Sequence, residues 1–123
     1  MDAPRRKRDI ESRAFEFGRR ILLLCDPLIR RGGSTRLVGY QLARSGTSVG
    51  ANLEEAVGAQ SKPDFVAKIS FALKESRESH YWLLECTCKP VPAETTSLIQ
   101  EAGELGAILT VIVRNARSSP RRG

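Results

Sequence analysis

The sequence predicts an all-α chain folded as an antiparallel, up-down-up-down four-helix bundle. Apolar residues recur at spacings of three and four in four segments, and turn-forming residues separate those segments. No run of note reads as a strand. At 123 residues the chain is a single domain, long enough for one core but not two.

The first helix is expected from about Ile10 to Ile29, with Ala14, Phe17, Ile21, Leu24 and Leu28 in one stripe. Phe15, Leu22 and Ile29 form a second stripe beside it. Arg30-Arg31-Gly32-Gly33 ends the helix, since glycine stops helices and cations suit a helix C-terminus. Ser34 or Thr35 can cap the second helix, which runs to about Ala59 along the core line Leu42, Gly46, Val49, Leu53 and Ala56. Glycine inside a helix costs about 1 kcal/mol relative to alanine. The seam of Gly39, Ala43, Gly46 and Gly50 therefore implies close approach of a neighbouring backbone.

The third helix has the clearest start. Ser61-Lys62-Pro63-Asp64 is a capping-box arrangement, with proline in the first turn where its missing N–H costs nothing. Its core line is Phe65, Ile69, Ala72, Leu73, Ser76, His80, Leu83 and Leu84, and Lys89-Pro90-Val91-Pro92 breaks it. The fourth helix, about Ala93 to Arg117, presents Leu98, Ala102, Leu105, Leu109, Ile112 and Ala116. Short links between long helices favour antiparallel neighbours. The bundle thus occupies residues 10–117, between a basic, mobile tail at 1–9 and another at 118–123.

The net charge of +6 belongs to the ends. Residues 1–8 carry four basic groups against one acidic, and residues 114–123 carry Arg114, Arg117, Arg121 and Arg122 unopposed. The stretch between them is −1. No segment looks apolar enough to cross a membrane, and no secretory leader precedes the bundle. Three cysteines (Cys25, Cys86 and Cys88) cannot all pair within one chain, which fits a reducing compartment. A cytoplasmic protein with no membrane partner is the expectation.

No cofactor, metal or catalytic residue is expected. Cys86-x-Cys88 with His80 lacks zinc-site spacing, and on a helix positions 86 and 88 diverge by about 200°. His80 lies on a core line without a partner nucleophile, Glu54 and Glu55 diverge on their helix, and Gly32-Gly33-Ser34 lacks the lysine of a phosphate loop. Enzymes need convergent groups of tuned pKa, and none is evident.

The surplus lies on the surface. Phe71, Glu75, Glu78 and Trp82 recur at spacings of four, three and four opposite the core line of the third helix, with Tyr81 alongside. Leaving two large aromatics wet forgoes roughly 1.5–3 kcal/mol each, so a subunit interface is the better reading. On the second helix Gln41, Arg44, Ser48, Asn52 and Glu55 share a face, which by pattern alone would be a solvated one.

At these residues the chain resembles the bacterial four-helix-bundle proteins named for open reading frames in rRNA intervening sequences. The likeness is carried by the stretch from Gln41 to Ala56, by Asp64-Phe65, Lys68-Ile69, Ala72 to Glu78 and Tyr81-Trp82-Leu83, and by Glu101 to Leu105 with Ile108-Leu109. It spans about residues 12–117. Gly46 and Gly103 depart from it, standing where alanine, serine or a polar residue is usual.

The resemblance implies a ring of five subunits and no enzymatic reaction. It turns Gln41, Arg44, Ser45, Ser48, Asn52, Glu55, Glu75 and Glu78 into an interface network. A related group, the accessory proteins of diversity-generating retroelements, forms a basic barrel that associates with a reverse transcriptase and nucleic acid. The expected function is an oligomeric scaffold that binds itself and an unidentified protein partner. The alternative is a sequence-independent DNA- or RNA-binding accessory protein, touching phosphates through Arg5, Arg6, Lys7, Arg8, Arg114, Arg117, Arg121 and Arg122. Over five subunits +6 becomes +30, enough to attract a polyanion by counterion release.

Overall fold

The computed structural model describes the backbone of residues 5–119 and the side chains of 10–119. Four helices follow in order, α1 (Arg5–Arg31), α2 (Gly33–Val57), α3 (Lys62–Cys86) and α4 (Glu94–Ser118). Each packs on its sequence neighbours and α4 closes thinly onto α1, while the diagonal pairs stay apart. This is a four-helix bundle, and no strand occurs among the described residues.

The expected core stripes meet in its interior. Ala14, Phe17, Ile21, Leu24 and Leu28 from α1 are buried, as are Leu42, Val49, Leu53 and Ala56 from α2. Ile69, Ala72 and Leu83 come from α3, and Leu98, Ala102, Leu105 and Leu109 from α4. Leu84 departs from its expected place and is exposed, while Val113 is buried near the end of α4 where Ile112 was expected and is only half-buried.

The boundaries differ where the chain turns. α1 begins at Arg5, inside the segment read as a tail; the side chains of Arg5, Arg6, Lys7 and Arg8, and all of Arg121 and Arg122, lie outside the described residues. Neither Ser34 nor Thr35 caps α2. Gly32 is the N-cap, with φ 82° and no side-chain cap, and Gly33 follows at φ 60°. Two left-handed residues reverse the chain in one step, which glycine does without a Cβ penalty. At α3 the Ser61 cap forms as read, with the Asp64 N–H donating to Ser61 Oγ at 3.1 Å, while the return bond of the box reaches one residue further back: Asp64 Oδ2 accepts from the Gln60 N–H at 3.3 Å.

The glycine seam of α2 finds its neighbour within the chain. A Cβ built on Gly39 would meet Ile29 Cγ1 at 2.7 Å, and one on Gly50 would meet the Ala14 carbonyl oxygen at 3.4 Å. Gly18 answers from α1, 3.6 Å from the Thr47 Cα on the same basis. The α1–α2 pair is thus the tightest backbone contact on which the bundle rests.

One helix overturns an expectation. α4 is long and apolar enough, by length and composition, to cross a membrane. Its isoleucines, leucines, valines and alanines raise the average, while glycines, threonines and glutamates between them interrupt any apolar run. In the fold Leu98, Ala102, Leu105, Leu109 and Val113 are core, and Arg13 of α1 binds Glu101 and Glu104 on its flank, each at 2.7 Å.

Thr95, in the first turn of α4, is buried with its hydroxyl unpartnered. An orphaned buried hydroxyl costs about 1–3 kcal/mol. Thr95→Val keeps the shape and removes the polar atom, so it is expected to stabilise the fold by about 1 kcal/mol. Urea denaturation at fixed protein concentration should show a higher midpoint with an unchanged slope; a lower midpoint would mean that the hydroxyl has a partner.

Candidate interaction surface

The polar residues read from α2 and α3 come together along the groove between those two helices. Arg44 is the centre. Its guanidinium donates from Nη1 to Glu75 Oε1 at 3.2 Å and from Nη2 to Glu78 Oε2, with Gln41 Oε1 at 3.5 Å. The spacing explains the pairing: Glu75 and Glu78 are one turn apart on α3, so a forked guanidinium from α2 spans both. Trp82 Nε1 donates to the same Glu78 Oε2 at 3.0 Å.

Beneath this layer the Ser45 and Ser79 hydroxyls meet at 2.9 Å, both fully buried, and the Glu75 carbonyl lies 2.9 Å from Ser79 Oγ. Ser48 donates back to the Arg44 carbonyl at 2.7 Å, and Asn52 Nδ2 donates to the Ser48 carbonyl at 2.9 Å. Glu55 pairs with Lys68 Nζ at 3.1 Å. The small serines let α2 and α3 approach, and the charged residues close the groove over them. About half of the Arg44 side chain remains in solvent, so its ion pairs are screened and individually weak.

The aromatic residues divide. Phe71 and Tyr81 are exposed. Trp82, expected on the outward side with them, is half-buried and packs against the core. Its indole turns inward because the Glu78 carboxylate, held by Arg44, takes its N–H. Tyr81 stands edge-on to it, with ring centroids 5.1 Å apart and planes at 75°. This pair forms the outer corner of α3.

A second surface went unread. The stripe Phe15 and Leu22 was expected to sit beside the core of α1, yet Phe15 is 65% exposed, Leu22 49% and the adjacent Leu23 74%. Because α2 and α4 flank α1 and nothing covers its third side, only one stripe fits inside. With Gly18, Thr47, Gly50 and Ala51, the residues Phe15 and Leu22 line a groove of about 370 Å³ between α1 and α2, at whose margins stand Glu11, Arg19 and Glu54. The signal was in the sequence, as two apolar stripes on a helix that can bury only one.

The three cysteines are unpaired: Cys25 and Cys86 are buried and Cys88 is exposed. Burial pushes the Cys25 thiol up to about 12, with Asp26 adding to the effect, and burial likewise raises Cys86. No α1–α3 backbone contact brings Cys25 and Cys86 within bridging distance. Among the described residues no three His, Cys, Asp or Glu side chains are placed to hold a metal. His80 is half-buried beside α4, 3.9 Å from where a Cβ on Gly103 would be.

These thiols yield a prediction. A raised folded-state pKa favours the native state while the thiol stays protonated, so the contribution holds below the unfolded value near 9. It is lost as pH rises from there toward 12. A thiol-specific reagent at neutral pH is expected to modify Cys88 rapidly and the other two only on unfolding. Rapid modification of all three in the folded protein would show that the α1–α3 interior opens.

Comparison with known proteins agrees with this architecture. The sequence model of the 23S rRNA-intervening sequence protein family matches residues 6–111. A solved structure from Bacteroides thetaiotaomicron, a protein of unknown function from the S23 ribosomal protein family, is 33% identical. The match covers 88% of this chain and 97% of that one, with a TM-score of 0.78. No curated protein matches. The long family match, the four-helix bundle and the likeness to that structure give one conclusion: the chain belongs to the 23S rRNA-intervening sequence protein family.

Proposed function

We propose that this protein is a non-enzymatic, cytoplasmic scaffold that works as a closed homo-oligomer, a ring of five in keeping with its family, and that its assembly presents a surface to a protein partner. The observation that carries this reading is the amount of large apolar surface outside the core: Phe15, Leu22 and Leu23 on α1, Leu37, Tyr40 and Val57 on α2, Phe71, Tyr81 and Leu84 on α3, and Val111 on α4. Single exposed apolar residues are ordinary, but contiguous patches mark contact sites. In this reading Gln41, Arg44, Ser48, Asn52, Glu55, Glu75 and Glu78 hold the α2–α3 face rigid. Phe71, Tyr81 and the edge of Trp82 then meet the next subunit on a surface that does not rearrange.

Light scattering coupled to gel filtration tests it. The expected mass is about five times the 13.6 kDa of the chain. A mass near 13.6 kDa at tens of micromolar would remove the oligomer and the scaffold reading with it.

A second reading, sequence-independent binding of DNA or RNA, draws on the distribution of charge. Arg13, Arg20, Arg44 and Lys68 are each engaged by carboxylates within the bundle. Of the other cations, Arg19, Lys74 and Arg77 lie in mid-helix, and the rest sit toward the chain ends and the turns. α1 starts at the same end of the bundle at which α4 finishes, because an even number of alternating helices returns the chain to its origin. The start of α1 and the end of α4 thus lie at one end of the bundle on neighbouring helices, where one polyanion could span both.

A further inference from the structure

We infer that the outer groove between α3 and α4 binds the phosphate group of a small phosphomonoester, held by Arg77 and His80. The inference is independent of self-assembly and of the cations at the chain ends. A cavity of about 480 Å³ opens between the two helices, with Arg77 and His80 on its α3 wall and Gly103, Gly106, Ala107 and Thr110 on its α4 wall. The charge around it is one-sided, because both lining side chains that can carry charge are basic. The carboxylates adjoining it on the two helices are engaged elsewhere: Arg44 of α2 holds Glu75 and Glu78, and Arg13 of α1 holds Glu101 and Glu104. Among the described residues Arg77 enters no ion pair and the His80 ring no hydrogen bond, whereas the neighbouring Glu75, Ser76, Glu78 and Ser79 are all partnered. His80 is half-buried, so its ring has given up water without gaining a protein partner.

The α4 wall is cut back where packing does not require it. Glycine is unfavourable inside a helix, and Gly103 sits in α4 without a positive φ. A Cβ on it would meet nothing closer than His80 Cδ2 at 3.9 Å and Nε2 at 4.0 Å. Gly39 and Gly46, by contrast, are demanded by Ile29 and Ile21, each 2.7 Å from the corresponding Cβ position. The bareness of Gly103 leaves the Nε2 edge of the imidazole open toward the groove.

A phosphate group matches these donors. Arg77 and His80 are three residues apart and so adjoin on one face of α3. A phosphomonoester at neutral pH presents about 1.5 to 2 negative charges and three strong acceptor oxygens. The guanidinium fork takes two of those oxygens, and an imidazole N–H, which the ring keeps in either protonation state, takes the third. A phosphodiester carries a single charge and gains about half the Coulomb attraction. Thr110 gives its hydroxyl hydrogen to the Gly106 carbonyl at 2.8 Å, so toward the groove it only accepts, which suits a hydroxyl on the carbon chain of the ester.

Titration of the full chain with glycerol 3-phosphate, followed by NMR at fixed pH and ionic strength with chloride as the balancing ion, tests the site. His80 is the only histidine, so its ring signal reports the groove directly. The expected result is a saturable shift of that signal that chloride alone does not produce. Arg77→Gln, at an exposed position, should weaken binding at least about tenfold. Gly103→Leu should abolish binding by covering the imidazole, while circular dichroism stays helical and the urea midpoint does not fall. If Gly103→Leu misfolds, Arg77→Gln decides alone. A shift that does not saturate, or binding that survives these substitutions unchanged, would overturn the site. Tighter binding of a short oligonucleotide without a terminal phosphate would also overturn it and give the groove to the nucleic-acid reading.

Discussion

Gly46→Val is expected to destabilise the bundle by about 3 kcal/mol, at the upper end of the usual cost of overpacking a core. A Cβ at this position would lie 2.7 Å from Ile21 Cγ2, 2.9 Å from its Cγ1 and 3.0 Å from its Cβ. Ile21 is fully buried, and its branch point is fixed to the α1 backbone, so it cannot swing aside as the end of a long side chain could. Valine would add two methyl groups beyond that contact. The opposing gain from replacing a helical glycine is at most about 1 kcal/mol. Sterics therefore win. Gly103→Ala is the control: its Cβ would meet nothing closer than His80 at 3.9 Å, so the propensity gain should appear as added stability. Urea midpoints separate the two. Equal stability of Gly46→Ala and Gly103→Ala would show that α1 and α2 do not approach as closely as the packing implies.

These two glycines also show where sequence reasoning stops. Both are departures from the usual family residue, and in one dimension they look alike. Packing distinguishes them: Gly46 faces a β-branched residue of α1, while Gly103 faces a loosely packed imidazole on α3. The main core stripes were legible because a period of 3.6 places Phe17, Ile21 and Leu24, or Leu98, Ala102 and Leu105, on one side whatever the partner helix. The α3 start was legible because Ser61, Pro63 and Asp64 act locally. The α2 start was not, since a double-glycine reversal leaves Ser34 and Thr35 within the helix and gives them nothing to cap.

The candidate surface was legible in part for the same reason. Periodicity aligned Arg44 with Gln41 and Ser48, and Glu75 with Glu78, but it could not tell a solvated face from a groove shared with the next helix. Trp82 illustrates this best, since its inward turn depends on a carboxylate already held by an arginine from another helix. The bare side of α1 depended on a count of neighbours, which is a property of the fold and invisible in any single helix.

Neutralising the C-terminal cations gives the second large expected effect, on the salt dependence of nucleic-acid binding. Deleting the segment would confuse the outcome, because α4 continues to Ser118, Ala116 is half-buried and Lys62 Nζ donates to the Ser119 carbonyl. Substitution of Arg114, Arg117, Arg121 and Arg122 by glutamine removes four charges and keeps the helix. For duplex DNA the slope of log affinity against log salt is about −0.9 per phosphate neutralised, so four lost contacts remove about 3.6 from it. Between about 50 and 200 mM salt that slope amounts to roughly a hundredfold in affinity. If the second reading holds, the parent chain binds a short DNA duplex with a steep slope and the variant with a much shallower one. Circular dichroism and oligomeric mass should be unchanged, since Arg114 and Arg117 are exposed and outside the core. An unchanged slope would move the phosphate contacts to Arg5, Arg6, Lys7 and Arg8 or to Arg30, Arg31 and Arg36 around the α1–α2 turn, which the same substitutions made there would separate. No binding by the parent chain at about 50 mM salt, where electrostatic contacts are least screened, would remove the second reading and leave the scaffold alone.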